Sequence, residues 1–516
     1  MKKFNITGLC IPSKHYMVDL SEKVNLILDN YISQGAYFTI NRARQFGKTT
    51  IINALETRLC REYLVISISL EAADDYFASM QTFVNGLVMD IADELRRNNV
   101  AESIISEWET RIEEDYPLKM FGRKISSLCA QSKKEVVLII DEADQSSDNQ
   151  IFLSFLGMLR DKYLKREMDR DTTFRSVILA GVYNVKNLKL KIRPDEEKKY
   201  NSPWNIAVDF QVDMSFSKTD ISQMLHDYSK DTGITMDENT ISEKIHFYTN
   251  GYPMLVSWLC KWIDENGGRE WTIQSVENAE KELLKSDNTL FDDMIKNVEN
   301  NNGFRKVITG LLLDGFHLPF VKSDSEINLG VMFGILAEKD NETVISNIVF
   351  ETFLYNHLIS SQLQARYLFG FEKNQFIENG QLNMEQALQK FQEIMKAEYR
   401  KEDAAFLERQ GRLLFLCFMK PIINGKGSYY VEPETRNNTR MDIVIAYGGN
   451  EYIIELKIWH GQQYRQNGLN QLYDYLESRN SSKGYLISFN FNENKEYVQN
   501  TIIGKDVNKE IYEIVV

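Results

Sequence analysis

Two small constellations in this sequence hold residue types suited to phosphate chemistry. The first is Gly47-Lys48-Thr49-Thr50. It follows a β-rich run at residues 37–40 and precedes Ile51, Ile52, Leu55 and Leu59, which are apolar at helical spacing. Strand, loop, Gly-Lys-Thr and helix is the order a phosphate-binding loop needs. Amide N–H groups at the helix start face the anion, and the helix dipole favours its charge. Lys48 would neutralise β- and γ-phosphate oxygens and the Thr49 hydroxyl would ligate Mg²⁺, so ATP with Mg²⁺ is expected, held by Arg44, Gln45, Phe46, Gly47, Lys48, Thr49 and Thr50. Arg42 stands where the usual pattern has its first Gly.

The second constellation is Asp442, Glu455 and Lys457, set around Gly448-Gly449. Two β-rich runs joined by a two-residue Gly-Gly turn predict a hairpin that puts Asp442 directly opposite Glu455, with Lys457 on the same face. Opposed carboxylates repel unless a cation lies between them. A divalent metal meets that need, and Lys457 adds a group able to orient or deprotonate an attacking water. A solvent-facing ladder of Asp, Glu and Lys would give the same pattern.

Elements that could position the first constellation recur through the first half. Residues 63–70 read as a strand, and 83–97 and 104–113 as helices. The apolar run 136–140 reads as a buried parallel strand ending in Asp141-Glu142, where a doubly wound sheet presents its ligand. There Asp141 would hold Mg²⁺ and Glu142 would polarise the attacking water. Residues 174–181 form another buried run, followed by Asn184, which could sense a γ-phosphate or be a satisfied loop amide. Residues 205–210 supply a fifth strand. Beyond them Ser217 to Asp220 is a helix-start signal. Asn250-Gly251-Tyr252-Pro253 reads as a helix cap with Pro opening the next helix.

The loop at Asn41 to Thr50, with Tyr16 to Asp19, Ile139 to Glu142 and Leu179 to Val182, resembles the bacterial AAA-ATPase-like proteins, which also depart from the usual loop at its first Gly. The resemblance implies a five-stranded P-loop ATPase core with an acidic catalytic pair. The segment around Gly251 and Pro253 resembles the helical lid of signal-transducing and archaeal-type ATPases. Towards the C-terminus come a helical run at residues 402–419, the hairpin, a helix carrying Gln471 and Tyr475, and a strand at 484–491. This order resembles the PD-(D/E)xK nuclease superfamily, in its RecB-like branch. That likeness implies Mg²⁺ at Asp442 and Glu455, support of the metal by Glu408, water activation by Lys457, and contacts to DNA or the site from Gln471 and Tyr475. Met441 occupies the place of the superfamily's Pro.

The expected architecture is therefore α/β and multidomain. It comprises a P-loop doubly wound parallel sheet over residues 1–214, a helical lid and winged-helix-like region over 215–365, a linker helix over 366–395, and a restriction-endonuclease-like domain over 396–516. At 516 residues the chain is too long for one core. The net charge of −14 argues against a chain coated in nucleic acid, though it leaves room for a local basic groove. Lys457, Arg440, Arg465 and Lys483 are candidates for that rim. Five scattered cysteines and six dispersed histidines fit neither a disulfide framework nor a zinc site and suit a reducing cytoplasm. No signal peptide and no bilayer-spanning run is expected. The leading expectation is an ATPase-controlled, Mg²⁺-dependent deoxyribonuclease in DNA processing or defence. The other is a nucleotide-dependent switch or scaffold with a degenerate nuclease fold. DNA is the expected partner of the first, no membrane is expected, and a homo-oligomer stays open.

Overall fold

The computed structural model describes residues 2–71, 73–113, 115–143, 150–181, 204–312, 318–365, 376–378, 381–398, 408–423, 427–431, 443–459, 461–479, 481–492, 495–503 and 509–516. They form two compact units. One comprises Met1–Asn297, Val321–Ala337 and Ser346–Val349, the other Val298–Phe320, Glu338–Ile345 and Phe350–Val516.

The first unit begins with β1 (Lys3–Phe4), β2 (His15–Tyr16), α1 (Ser21–Ile27), β3 (Tyr37–Asn41) and α2 (Lys48–Leu59). Next come β4 (Leu64–Ser69), α3 (Met80–Arg97), α4 (Glu102–Glu109), α5 (Pro117–Gln131), β5 (Val136–Asp141), α6 (Gln150–Arg166) and β6 (Ser176–Gly181). The helices α7 (Lys218–Thr232), α8 (Glu238–Thr249), α9 (Pro253–Asn266) and α10 (Ile273–Lys285) follow. The unit boundary then runs through a stretch made of α11 (Thr289–Asn300), α12 (Asn302–Leu312), α13 (Ser325–Met332), β7 (Leu336–Lys339), β8 (Glu342–Ile345) and α14 (Ile348–Ala365).

β3, β6, β5 and β4 form a parallel sheet in that order. The near-continuous apolar character of these strands follows from burial on both faces. Val136, Leu138 and Ile140 of β5 join a core with α3, α5 and α6. The alternate residues Val137 and Ile139 join a second core with α1 and α2. Each such side chain fully buried contributes about 1.5–3 kcal/mol. Residues 205–210 make one parallel bridge, Phe38 with Val208, where a fifth strand is expected. Side chains take up the backbone groups a ladder would use. The Tyr31 hydroxyl donates to the Asp209 carbonyl at 3.2 Å and accepts from the Gln211 amide at 2.9 Å. Arg42 Nη2 donates to the Val212 carbonyl at 2.7 Å.

In the helical part, Ser217 and Asp220 form a reciprocal capping box at the start of α7. Asn250, with φ 45°, caps α8, and Pro253 opens α9. Between them Gly251, with φ 72°, has a steric reason to be glycine. A Cβ there would lie 2.1 Å from the Phe216 carbonyl oxygen.

The second unit carries the antiparallel pair β9 (Ile377–Glu378) and β10 (Gln381–Leu382), then α15 (Met384–Glu398) and α16 (Glu408–Ile423). β11 (Gly427–Val431), β12 (Ile443–Tyr447), β13 (Asn450–Ile458), α17 (Gln462–Ser478), β14 (Lys483–Phe489), β15 (Gln499–Ile503) and β16 (Glu510–Val515) complete it. The six strands run β11-β12-β13-β14-β16-β15. β11, β12 and β13 are antiparallel neighbours, whereas β14 runs parallel to both β13 and β16. One face packs under α17 through Leu469, Leu472, Tyr475 and Leu476. On the other, Phe391 of α15 meets Phe415 and Phe418 of α16 and Phe489 of β14.

Candidate functional site

The loop between β3 and α2 has the backbone of an anion cradle. Gln45 and Gly47 both take positive φ, 56° and 80°, which turns successive amides inward ahead of the α2 dipole. Lys48 is buried, and its Nζ donates to the carbonyls of Arg42 and Ala43 at 3.0 and 3.2 Å. It thus spans the loop at the position a phosphate would share. Thr49 is exposed at the helix start, and the Thr50 hydroxyl accepts from the Cys10 amide at 3.3 Å.

Arg42 is a strut here. Its guanidinium reaches the carbonyls of Asn41 (2.8 Å) and Val212 (2.7 Å) and lies 5.2 Å from the Phe210 ring centre. Burial pushes its pKa below the ordinary arginine value. Those bonds occupy the side chain. Arg44 is exposed and paired with Asp293 at 3.0 Å.

Asp141 ends β5 and Glu142 follows at φ 53°, its amide donating to the Asp141 carboxylate at 2.9 Å. Both are half-buried. Because β6 lies between β3 and β5, the acidic pair and the loop emerge at the same end of a parallel sheet. Asn184 lies outside the described residues.

Sequence reasoning missed the wall of a cavity of about 310 Å³ beside Gly47, Thr50 and Ile51. Residues 5–8 and Cys10 form one side, and Met214, Phe216, Pro253 and Met254 form another. Asn5 holds the first segment in shape, its Nδ2 donating to the carbonyls of Thr7 and Leu9 at 2.8 and 3.3 Å. An apolar slot at the N-terminal end of α2 suits a flat nucleobase, so the donors and the cavity fit a nucleotide. Tyr252 ties the start of α9 to the loop. Its hydroxyl donates to the Arg44 carbonyl at 2.5 Å, and its ring meets Phe46 edge-on at 4.8 Å.

Fold, loop and cavity together define a P-loop ATPase. The AAA-like domain family matches residues 11–300, more than half of the chain, and the protein belongs to that family. Among solved structures, the chain is similar to a Walker-type ATPase of Pyrococcus abyssi (14% identity, 68% of this chain and 99% of that one, TM-score 0.46). It also matches the Aeropyrum pernix ORC2 protein (11%, 68% and 96%, TM-score 0.32) and the Thermotoga maritima RuvB Holliday junction branch migration motor (13%, 66% and 95%, TM-score 0.33). A search of curated proteins finds no match.

In the second unit, β12 and β13 pair with Ile443 opposite Ile454 and Tyr447 opposite Asn450, about a turn at Gly448 and Gly449 with φ 59° and 85°. That is the expected register. Asp442 itself, like Arg440, lies outside the described residues, as does the Glu408 side chain. Glu455 is 2% exposed, and its Oε1 is 2.9 Å from Lys457 Nζ. α17 covers the face they share. Gly468 makes room for Lys457, since a Cβ there would come within 3.0 Å of Lys457 Cγ. Tyr475 is buried in the core beneath α17 and Gln471 is exposed, so these two do not present one common surface. An acid not anticipated from sequence, Glu513, is 1% exposed and binds Arg465 through two bonds of 2.6 Å. Lys483 contacts Glu385, and Glu510 at 3.9 Å. Among the described residues, no group of three or more His, Cys, Asp or Glu could hold a metal. No described helix is long and apolar enough to cross a membrane.

Proposed function

We propose that the protein binds and hydrolyses ATP at the β3–α2 loop and couples this to a C-terminal PD-(D/E)xK-type domain that cleaves DNA with Mg²⁺. The ATPase half rests on one observation, the loop with two left-handed residues and a lysine lying across its carbonyls. Lys48 would exchange those carbonyls for phosphate oxygens, and the amides at the start of α2 would hold the same group. Thr49 and Asp141 would hold Mg²⁺, which supplies charge neutralisation at the phosphates. Glu142 would orient the attacking water and accept its proton, with Asn184 beside it. Residues 5–10 and 253–254 would sandwich the base.

The nuclease half is supported by the order of elements. A helix, three antiparallel strands, a covering helix and a parallel strand surround Glu455 and Lys457. Asp442, Glu455 and Glu408 would hold Mg²⁺ there, Lys457 would hold a proton next to the scissile phosphate, the exposed Gln471 would support the DNA, and the buried Tyr475 would line the site from within. The four-part division expected from sequence belongs to this reading, as do a homo-oligomeric assembly and a bacterial cytoplasmic setting.

A second reading, a nucleotide-dependent switch whose C-terminal fold no longer cuts, draws on a specific observation. Two of the expected rim cations, Arg465 and Lys483, are engaged by Glu513, Glu385 and Glu510, which leaves less positive charge for a phosphate backbone. Purified wild type, Lys48→Ala and Lys457→Ala separate the two. On the first reading, wild type turns over ATP and nicks DNA with Mg²⁺. Lys48→Ala loses turnover, and Lys457→Ala keeps turnover and stops cutting. Cutting that survives Lys457→Ala, Asp442→Ala and Glu455→Ala alike refutes the assigned nuclease site. ATP turnover with no cutting by wild type favours the switch.

A further inference from the structure

We propose that Thr289 and Asp293 of α11 form a latch on the phosphate loop, one that ATP must displace. The proposal rests on the nucleotide-binding reading above and adds a control to that site. Thr289 and Asp293 are four residues apart and share a helix face. Thr289 Oγ1 accepts from Gln45 Nε2 at 2.8 Å, and Asp293 Oδ2 accepts from Arg44 Nη1 at 3.0 Å. The loop residues they grip are those that shape the cradle, including Gln45 with its left-handed backbone.

Two more elements close on the same short segment. Tyr252 holds the Arg44 carbonyl, and Gly334, at φ 71°, lies so near that a Cβ there would come within 2.6 Å of Ala43 Cβ. Lid elements therefore meet three consecutive loop residues, 43 to 45. The polar ties are of the kind that exchange readily. The Arg44 side chain is 69% exposed and that of Asp293 26%, and such pairs contribute little individually.

The sign of the charge makes this a latch rather than simple packing. Asp293 brings a carboxylate to a loop whose amides, helix dipole and Lys48 all favour an anion. A polyphosphate entering the cradle meets that carboxylate and competes with it for Arg44. The triphosphate, with the greater charge, competes better than the diphosphate. Binding of ATP then frees Arg44 for the phosphates and releases the start of α11.

Titrations with ATP and ADP on wild type, Asp293→Asn, Asp292→Asn, Arg44→Ala, the Arg44→Ala/Asp293→Asn pair and Lys48→Ala test this, with circular dichroism to verify folding. Asp292 is an exposed neighbour on the same helix and controls for general charge. Asp293→Asn should tighten ATP about three- to tenfold and ADP by less, and Asp292→Asn should change neither by more than about twofold. In the Arg44→Ala background the gain from Asp293→Asn should shrink below about twofold. In wild type, hydrogen exchange over residues 289–293 should accelerate when ATP binds. Wild-type binding that Lys48→Ala abolishes but Asp293→Asn leaves unchanged overturns the latch alone. Equal effects of Asp292→Asn and Asp293→Asn, or a gain undiminished without Arg44, also overturn it. Absence of ATP binding in wild type and Asp293→Asn alike overturns the nucleotide reading together with the latch.

Discussion

Glu280 on α10 gives a quantitative prediction. It is 2% exposed, its Oε2 has no hydrogen-bond partner among the described residues, and burial pushes its carboxyl from 4.5 up to about 8. Lys281 and Lys244 oppose that rise and Glu277 reinforces it, with Lys244 tied to Glu277 at 3.0 Å. The folded pKa lies above the unfolded one, so the folded state binds the extra proton. Its stabilising contribution is full below about pH 4.5 and is lost as pH rises towards 8. At about 1.4 kcal/mol for each pH unit between those values, the loss reaches roughly 3 kcal/mol at pH 7 and roughly 4 to 5 kcal/mol above pH 8. Glu280→Gln keeps the shape and removes the titration. Denaturant unfolding of wild type and Glu280→Gln from pH 5 to 9 should show the two curves diverging as pH rises, with the variant the more stable at pH 8.5. A stability difference that stays constant from pH 5.5 to 8.5 would refute the reasoning.

Other expectations follow from single contacts. Gly251→Ala must move the Phe216 backbone, break the 2.8 Å bond from the Phe216 amide to the Gly251 carbonyl and hold a Cβ at positive φ. A loss of about 3–5 kcal/mol is expected in thermal or denaturant unfolding, with weaker ATP binding because Tyr252 is the next residue. Arg42→Ala removes two carbonyl bonds and the contact with Phe210, and should cost about 2–3 kcal/mol of stability and loosen ATP binding in calorimetry. Arg465→Met strands the Glu513 carboxylate under α17. It should destabilise the second unit by about 3–5 kcal/mol in unfolding experiments, and adding Glu513→Leu should recover much of that loss.

How much was legible in the sequence depended on whether a feature had a local cause. The β3–loop–α2 order was readable because apolar run, Gly-Lys-Thr and helical spacing are contiguous. The register of β12 with β13 was readable because a Gly-Gly turn fixes pairing on its own. Position 42 showed in sequence only as a missing glycine. Its role as a strut needs Val212, 170 residues away, and a ring from Phe210. The fifth strand failed for a similar reason, since Tyr31 reaches across and takes the Asp209 carbonyl. The cavity beside Gly47 was invisible because its wall hangs on β1 and β2, two residues each, too short for any periodicity to register. Gln471 and Tyr475 sit four apart, yet Tyr475 packs into the core beneath α17 while Gln471 is exposed. The face of Glu455 read as polar from alternation alone, and only the chain's return as α17 shows it roofed.

The cavity wall at residues 5–10 has a practical consequence for trimming this protein. The family match starts at residue 11, so a fragment cut to that start would keep Lys48 and the whole cradle while removing one flank of the cavity proposed for the base and the Cys10 amide that binds Thr50. Such a fragment should still recognise inorganic triphosphate and tell ATP from GTP less well.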